Sequence, residues 1–268
     1  MLFKIPTIAL SVVLGLGLSA CGKEKEVAPA AASAPAEQTV AEYRIRTTNQ
    51  PYPPFNIYNP DNTISGLEAD VLAAIAKDQN IKITHVPYVW DVMFTDLKGG
   101  NADMVGGGLV KSDYNTEEIV ASIPYMRAPD CVVASKPSNL DNWHKRKVAL
   151  REEDDEEEDL MQNFGVARDN IVYVRSQYQG LQQLLAGTIP TMMSDCSVIR
   201  YYIRQSFIDK KDQFHLKELP RTESDVDANE NIIFGVRKDQ TELLQKINQG
   251  ITNLKANGEL ERILQRWQ

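Results

Sequence analysis

The sequence predicts an α/β protein built on two parallel sheets rather than one. Strand-like and helix-like patterns alternate from residue 43 onward. The alternation breaks after residue 127 and then starts again, which argues for a second sheet. About 226 residues follow position 42, enough for one large domain or two modest ones.

The elements follow in order. Tyr43, Ile45 and Thr47 alternate with arginines as a strand does, and the turn-rich PYPPFNIYNPDNTISG comes next. GLEADVLAAIAKDQN places Leu67, Val71 and Ile75 at four-residue spacing, one face of an amphipathic helix. IKITHVPYV reads as a strand, VMFTDLKGG as a short helix stopped by its glycines, and ADMVGGGLV as a further strand. After IPYMRAPD the second series runs CVVAS, KVALR, a helix over 156–164, IVYVR, a helix over 177–186 and TMMSD. The strand IIFGV and two helices close the chain, with apolar stripes Leu243, Ile247, Ile251, Leu254 and then Leu260, Ile263, Leu264.

The N-terminus indicates export. MLFKIPTIALSVVLGLGLSAC has an early lysine, Lys4, an apolar run from Ile5 to Leu18, and the small residues Ser19 and Ala20 before Cys21. That is the layout of a secretory signal peptide over 1–20, too short for a membrane span. LSAC resembles the lipobox of bacterial lipoproteins, which implies cleavage before Cys21 and lipidation of its thiol; ordinary cleavage with a free Cys21 is the alternative. Residues 21–42 are rich in Ala, Pro and charge and lack large apolar side chains, so they read as a flexible tether.

The net charge of −8, without a basic cluster, argues against a nucleic-acid partner. Cys131 and Cys196 are the other two cysteines, and an oxidising compartment leaves their pairing open. His85, His144 and His215 sit in different segments without metal-ligand spacing, so no zinc site, and no metal or cofactor, is expected. REEDDEEED, Arg151 to Asp159, sets eight acidic residues behind one arginine. It lacks the alternating spacing and turn glycine of a calcium loop. Glu156 to Asp159 read as a solvated run favoured in a helix's first turn.

The stretch from YPPFNIYNPDNTISGLEADV through GGNADMVGGGL resembles the N-terminal half of family 3 extracellular solute-binding proteins, the amino-acid receptors of ABC importers. Its marks are the aromatic-Pro-Phe turn, the helix start at Gly66 and Glu68, the leucine-glycine helix end and the Asp103 strand. The resemblance resumes at ASIPYM, KVALR, LLAGTIPTMMSD and IIFGVRKDQTELLQKINQGITNLKANGELERILQRW, collinear over nearly all of 43–268. It implies a type II periplasmic-binding-protein fold: two α/β lobes, 43–127 plus 229–268 and 128–228, joined by two crossing segments, with a ligand cleft between them. It also implies a permease partner in an ABC transporter, a small-molecule ligand, and membrane attachment through the lipid alone.

The resemblance places Tyr52 over the ligand, Trp90 at a second apolar or aromatic wall, and Arg151 where some members put a lysine near the ligand's side chain. Asp195 matches the aspartate that takes the ligand's ammonium. Each has a plain structural alternative: Trp90 can fill a core, Arg151 can be a surface charge, and Asp195 suits the N-cap of the helix beginning CSVIRYYI. Asn49 and Gly108 complete the candidate set with two departures. Family members carry a hydroxyl residue and, five positions on, an arginine that forks onto the α-carboxylate; here those places hold Val110 and Asn115. Valine offers only its backbone amide and asparagine only neutral hydrogen bonds. Lys111 lies nearby but, by strand alternation, on a different face. The Gly-Thr turn that supports the carboxylate in the family reads Glu152-Glu153-Asp154-Asp155 here. The expectation is therefore an amine-bearing ligand held mainly by its ammonium and apolar body. Its competitors are a surface lipoprotein acting through protein contacts and, further off, an enzyme such as a dehydratase on this fold.

Overall fold

The computed structural model describes residues 40–48, 51–114, 117, 119–152 and 157–267. The signal sequence, Cys21, most of the tether, Asn49, Asn115 and Glu153 to Glu156 lie outside them. The described chain runs β1 (Glu42–Thr48), β2 (Ile57–Tyr58), β3 (Ile64–Ser65), α1 (Leu67–Asp78), β4 (Lys82–Tyr88), α2 (Trp90–Lys98), β5 (Met104–Gly106) and β6 (Ile119–Ala121). It continues with β7 (Met126–Arg127), β8 (Asp130–Ala134), β9 (Val148–Arg151), α3 (Glu157–Gln162), β10 (Ile171–Val174), α4 (Gln177–Ala186), β11 (Thr191–Asp195) and α5 (Cys196–Ser206). Then come β12 (His215–Glu218), α6 (Glu223–Asn229), β13 (Asn231–Ile232), β14 (Gly235–Arg237), α7 (Thr241–Ala256) and α8 (Glu259–Trp267).

Two five-stranded sheets result, in the orders β4-β1-β5-β14-β6 and β10-β9-β11-β8-β12. Neither is wholly parallel, which corrects the sequence expectation. β1 runs parallel to β4 and β5, and β9 parallel to β10 and β11, but β14 and β8 run antiparallel to their neighbours. The physical reason is connectivity: β8 and β14 enter directly from the segments that pass between sheets, so no helical crossover forces the parallel direction. Those segments pair with each other as a short antiparallel ribbon, Asn231 opposite Arg127 and Ile232 opposite Met126. The IIFGV run is therefore split: Ile232 belongs to the ribbon and Gly235 to the first sheet.

Each sheet is covered on both faces by helices. On one face of the first sheet, Ile45 and Met104 pack with Leu67, Val71 and Ile75 of α1 and with Leu243, Ile247 and Ile251 of α7. On the other, Val105 and Leu109 meet Met93 and Leu97 of α2. The second sheet buries Val133, Ala149 and Met192 against Leu181 and Leu184 of α4 and Ile199 of α5, and Val132, Leu150 and Met193 against Trp143 and Leu160. Both helix stripes read at the C-terminus are thus core faces.

Ion pairs gather where the chain passes between sheets. Arg221, almost fully buried, bonds Asp159 at 2.7 and 2.8 Å and Asp130 at 2.5 Å. Arg127 pairs with Glu218 at 2.9 Å and with the buried Glu230. This corrects the reading of the acidic run's end as simply solvated. Asp159 neutralises a buried guanidinium, while Glu157 pairs with Arg168 at 3.2 Å and accepts from the Tyr173 hydroxyl. Burial pushes the Asp130 carboxyl up against the lowering effect of Arg221.

Candidate functional site

The first wall of the site is the turn before β2. Tyr52 and Asn56 exchange backbone hydrogen bonds at 3.0 and 3.1 Å. The turn is tied to β1 by the Thr47 hydroxyl donating to Asn56 Oδ1 at 2.9 Å, and to α1 by the Leu67 amide donating to the Pro54 carbonyl at 2.8 Å. Tyr52 stacks on Phe55 with ring centroids 5.6 Å apart. Behind both rings lies Gly108, whose φ of +82° suits glycine. A Cβ there would sit 3.4 Å from Tyr52 Cδ1 and from the Phe55 ring, so glycine lets the two rings lie flat on the backbone.

Beneath this turn is a group that sequence reasoning singled out only as a family mark. Glu68 is fully buried, and its Oε1 accepts from the Tyr125 hydroxyl at 2.8 Å and the Gly108 amide at 3.2 Å. Burial pushes its carboxyl up to about 7, with the hydrogen bonds opposing. Tyr125, itself buried against Phe234 at 4.8 Å, is held far above the ordinary phenol range by burial and by Glu68. Glu68 and Tyr125 therefore fix the backbone at Gly108 from below. A first-turn acid on a helix reads as dipole-stabilised and solvated, and nothing local to the sequence reveals this burial.

The second wall comes from the carboxyl ends of β9 and β11, where open α/β sheets commonly bind ligands. Asp195 occupies the N-cap position of α5, yet its side chain makes no capping hydrogen bond. Its carboxylate instead accepts from the Tyr52 hydroxyl of the opposite wall. Arg151, last residue of β9, sets its guanidinium carbon 6.0 Å from the centre of the Tyr52 ring, at the outer limit of a cation–π contact. Arg151's charge also reaches half-buried Tyr202, whose hydroxyl is raised by burial and by Tyr201 and lowered by Arg151. Cys196, next to Asp195, is disulfide-bonded to Cys131 of β8 with Cα atoms 4.8 Å apart, and its amide donates to the Pro129 carbonyl at 2.8 Å. The start of α5 is thus fastened to the segment where the chain enters the second sheet.

Tyr52, Gly108, Arg151 and Asp195 therefore meet across the two sheets. Trp90 does something else: it opens α2, stands edge-on to Phe94 at 5.9 Å, and packs half-buried on the Met93–Leu97 core. Val110 also departs from expectation. Its amide donates to Asp113 Oδ2 at 2.8 Å, within a tight turn at Lys111–Asp113, so its own neighbour takes up the backbone donor. Lys111 is not on a strand at all, because β5 ends at Gly106, and it pairs with Asp227 of α6 at 2.7 Å. Asn49 and Asn115 lie outside the described residues. Of the acidic turn, Glu152 is described; it is exposed, and its amide extends the β9–β10 pairing by donating to the Val174 carbonyl at 2.8 Å. Among the described residues no cluster of side chains suits a metal ion, and no helix is long and apolar enough to cross a membrane.

Comparison with known proteins bears on the family and the fold. A probable histidine-binding protein of Neisseria gonorrhoeae is 25% identical over 252 residues, covering 92% of this chain and 89% of the relative. The arginine-binding extracellular protein ArtP of Bacillus subtilis is 23% identical over 83% of this chain and 85% of its own length. Among solved structures, an ancestral cationic amino acid solute-binding protein superposes with a TM-score of 0.69 at 24% identity, over 85% of this chain and 95% of that one. The second substrate-binding domain of Lactococcus lactis GlnP, in an open conformation, gives 0.67 at 23% identity, over 85% and 96%. These likenesses establish the two-lobe type II periplasmic-binding-protein fold. The model of bacterial extracellular solute-binding proteins, family 3, matches residues 45–268, and the chain belongs to that family.

Proposed function

We propose that the protein is the lipid-anchored receptor of an ABC importer, attached through Cys21, and that it takes a small amine-bearing solute between its two lobes, 43–127 plus 229–268 and 128–228. Asp195 receives the ammonium, and Tyr52 and Gly108 form the opposite face. The observation that carries this reading is the Tyr52–Asp195 hydrogen bond. A strand-end carboxylate that caps no helix and reaches across to the other wall is a cation acceptor, now occupied by a phenol hydroxyl. An ammonium ion is a stronger donor to a carboxylate than a phenol and displaces it. The relatives named for histidine and arginine binding support an amino-acid-sized ligand.

The receptor reading is preferred to an enzymatic one because the relatives of known role are binding proteins and the described groups that converge form a charge-and-ring grip. Thermal unfolding of the purified protein against a panel of amino acids, amines and dipeptides tests it. A ligand at a hundred times its Kd adds about 2.7 kcal/mol to stability and raises Tm. Asp195→Ala should abolish the response. An unchanged Tm across the panel, or a response that survives Asp195→Ala intact, contradicts the assignment.

A further inference from the structure

We propose that Arg151 binds the carboxylate of a zwitterionic amino acid whose ammonium lies on Asp195, so that the second sheet grips both charges and the first supplies the aromatic face. This deepens the receptor reading and rests on its assignment of Asp195.

The placement follows from strand register. β9 and β11 are adjacent and parallel, with Thr191 beside Val148 and Met192 beside Ala149. Continuing that register two residues sets Ser194 beside Arg151 and Asp195 one step beyond, at the same edge of the sheet. Neighbouring strands are about 4.8 Å apart, so Arg151 and Asp195 end adjacent strands at the same edge of the sheet, and the Tyr52 ring is what both side chains turn toward. Tyr52 marks where both arrive: the guanidinium lies off its ring face and the Asp195 carboxylate at its hydroxyl. A positive and a negative group thus both border the Tyr52 ring, and the two charged groups of an α-amino acid are carried on a single carbon.

The first wall offers the carboxylate little. The Val110 amide is taken by Asp113, and Lys111 is drawn away to Asp227. Position 115 is asparagine. A planar guanidinium is the side chain best matched to a carboxylate, forking onto both oxygens. Of the acidic residues after Arg151, Glu157 pairs with Arg168 and Asp159 with Arg221.

Isothermal titration of the purified protein with L-arginine, L-histidine and their C-terminal amides tests the proposal, since the amides keep the ammonium and lose the carboxylate. The wild type should bind the better amino acid at least tenfold tighter than its amide. Arg151→Met should weaken the amino acid by tenfold or more and leave the amide within about twofold, erasing the preference. Arg151→Lys should retain part of it, and an unchanged far-UV spectrum and Tm show that both variants fold. An amide bound as tightly as its amino acid by the wild type overturns the Arg151 assignment and leaves the receptor reading standing. So does an Arg151→Met variant that weakens both probes equally. Failure of all four probes to bind the wild type, with a response to another member of the thermal panel, overturns the Arg151 assignment alone, and silence across that panel as well overturns both.

Discussion

Glu68→Gln tests whether one buried carboxyl sets the pH profile of stability. The side chain is 1% exposed, and burial pushes it from an ordinary value of 4.5 up to about 7. An acid raised in the folded state is protonated there while the unfolded chain has already released its proton. Between pH 4.5 and 7 the native protein therefore holds more protons than the unfolded one, and stability falls as pH rises through this window. A displacement of this size corresponds to about 3 kcal/mol. For a chain of this length each kcal/mol moves Tm by about 2–4 °C, so this group alone should lower Tm by roughly 6–12 °C between pH 4.5 and 7.5. Glutamine cannot ionise, and its carbonyl oxygen can still accept from Tyr125 and Gly108. Scanning fluorimetry of both proteins at half-unit pH steps gives a difference curve that removes the other titrating groups. The variant should gain on the wild type steadily from pH 5 to 7.5 and then level off. Parallel curves over that range would refute the reasoning.

Two further perturbations probe the region between the sheets. Reducing the Cys131–Cys196 bond, whose partners are 65 residues apart, should cost about 4 kcal/mol in the chain-entropy description, read as a drop in the denaturation midpoint on adding a reductant. The Cys131→Ala, Cys196→Ala double variant should lack that response. Arg221→Met leaves Asp130, Asp159 and Glu230 facing one another without their shared cation, and should cost about 3–5 kcal/mol at neutral pH. Because burial already raises Asp130, the penalty should shrink as the pH is lowered and that carboxyl takes up a proton, which urea titrations at pH 5 and pH 8 would measure.

The parts of the fold that were legible in sequence are those governed by local periodicity. α1 and α4 lie where their apolar spacing and flanking residues place them, with Ser176 accepting from the Gln179 amide at the start of α4. α6 also carries a readable signal: Thr222 and Asp225 form a reciprocal capping box, and TESD spells it. The antiparallel strands and the break in IIFGV were not legible, because they depend on which distant strand each segment meets. At the candidate site, motif resemblance singles out Tyr52 and Asp195, whereas the hydrogen bond between them is a tertiary fact. That the Val110 amide donates to Asp113, three residues on, was not legible either, because it depends on the turn the chain makes there. Glu68 was invisible as a buried acid because its own helix turn looks solvated, and only Tyr125 and Gly108, 57 and 40 residues away, disclose its burial.

The order of strands also bears on how the chain is assembled during export. In the first sheet β14 lies between β5 and β6, although it is the last strand to be synthesised. The second sheet is complete once residue 218 has emerged, so it has every strand available while the first still has a vacant slot between β5 and β6. A chain delivered from its N-terminus therefore exposes the unpaired edges of β5 and β6 until residues 235–237 arrive, and truncation before them should yield a species that binds chaperones and aggregates.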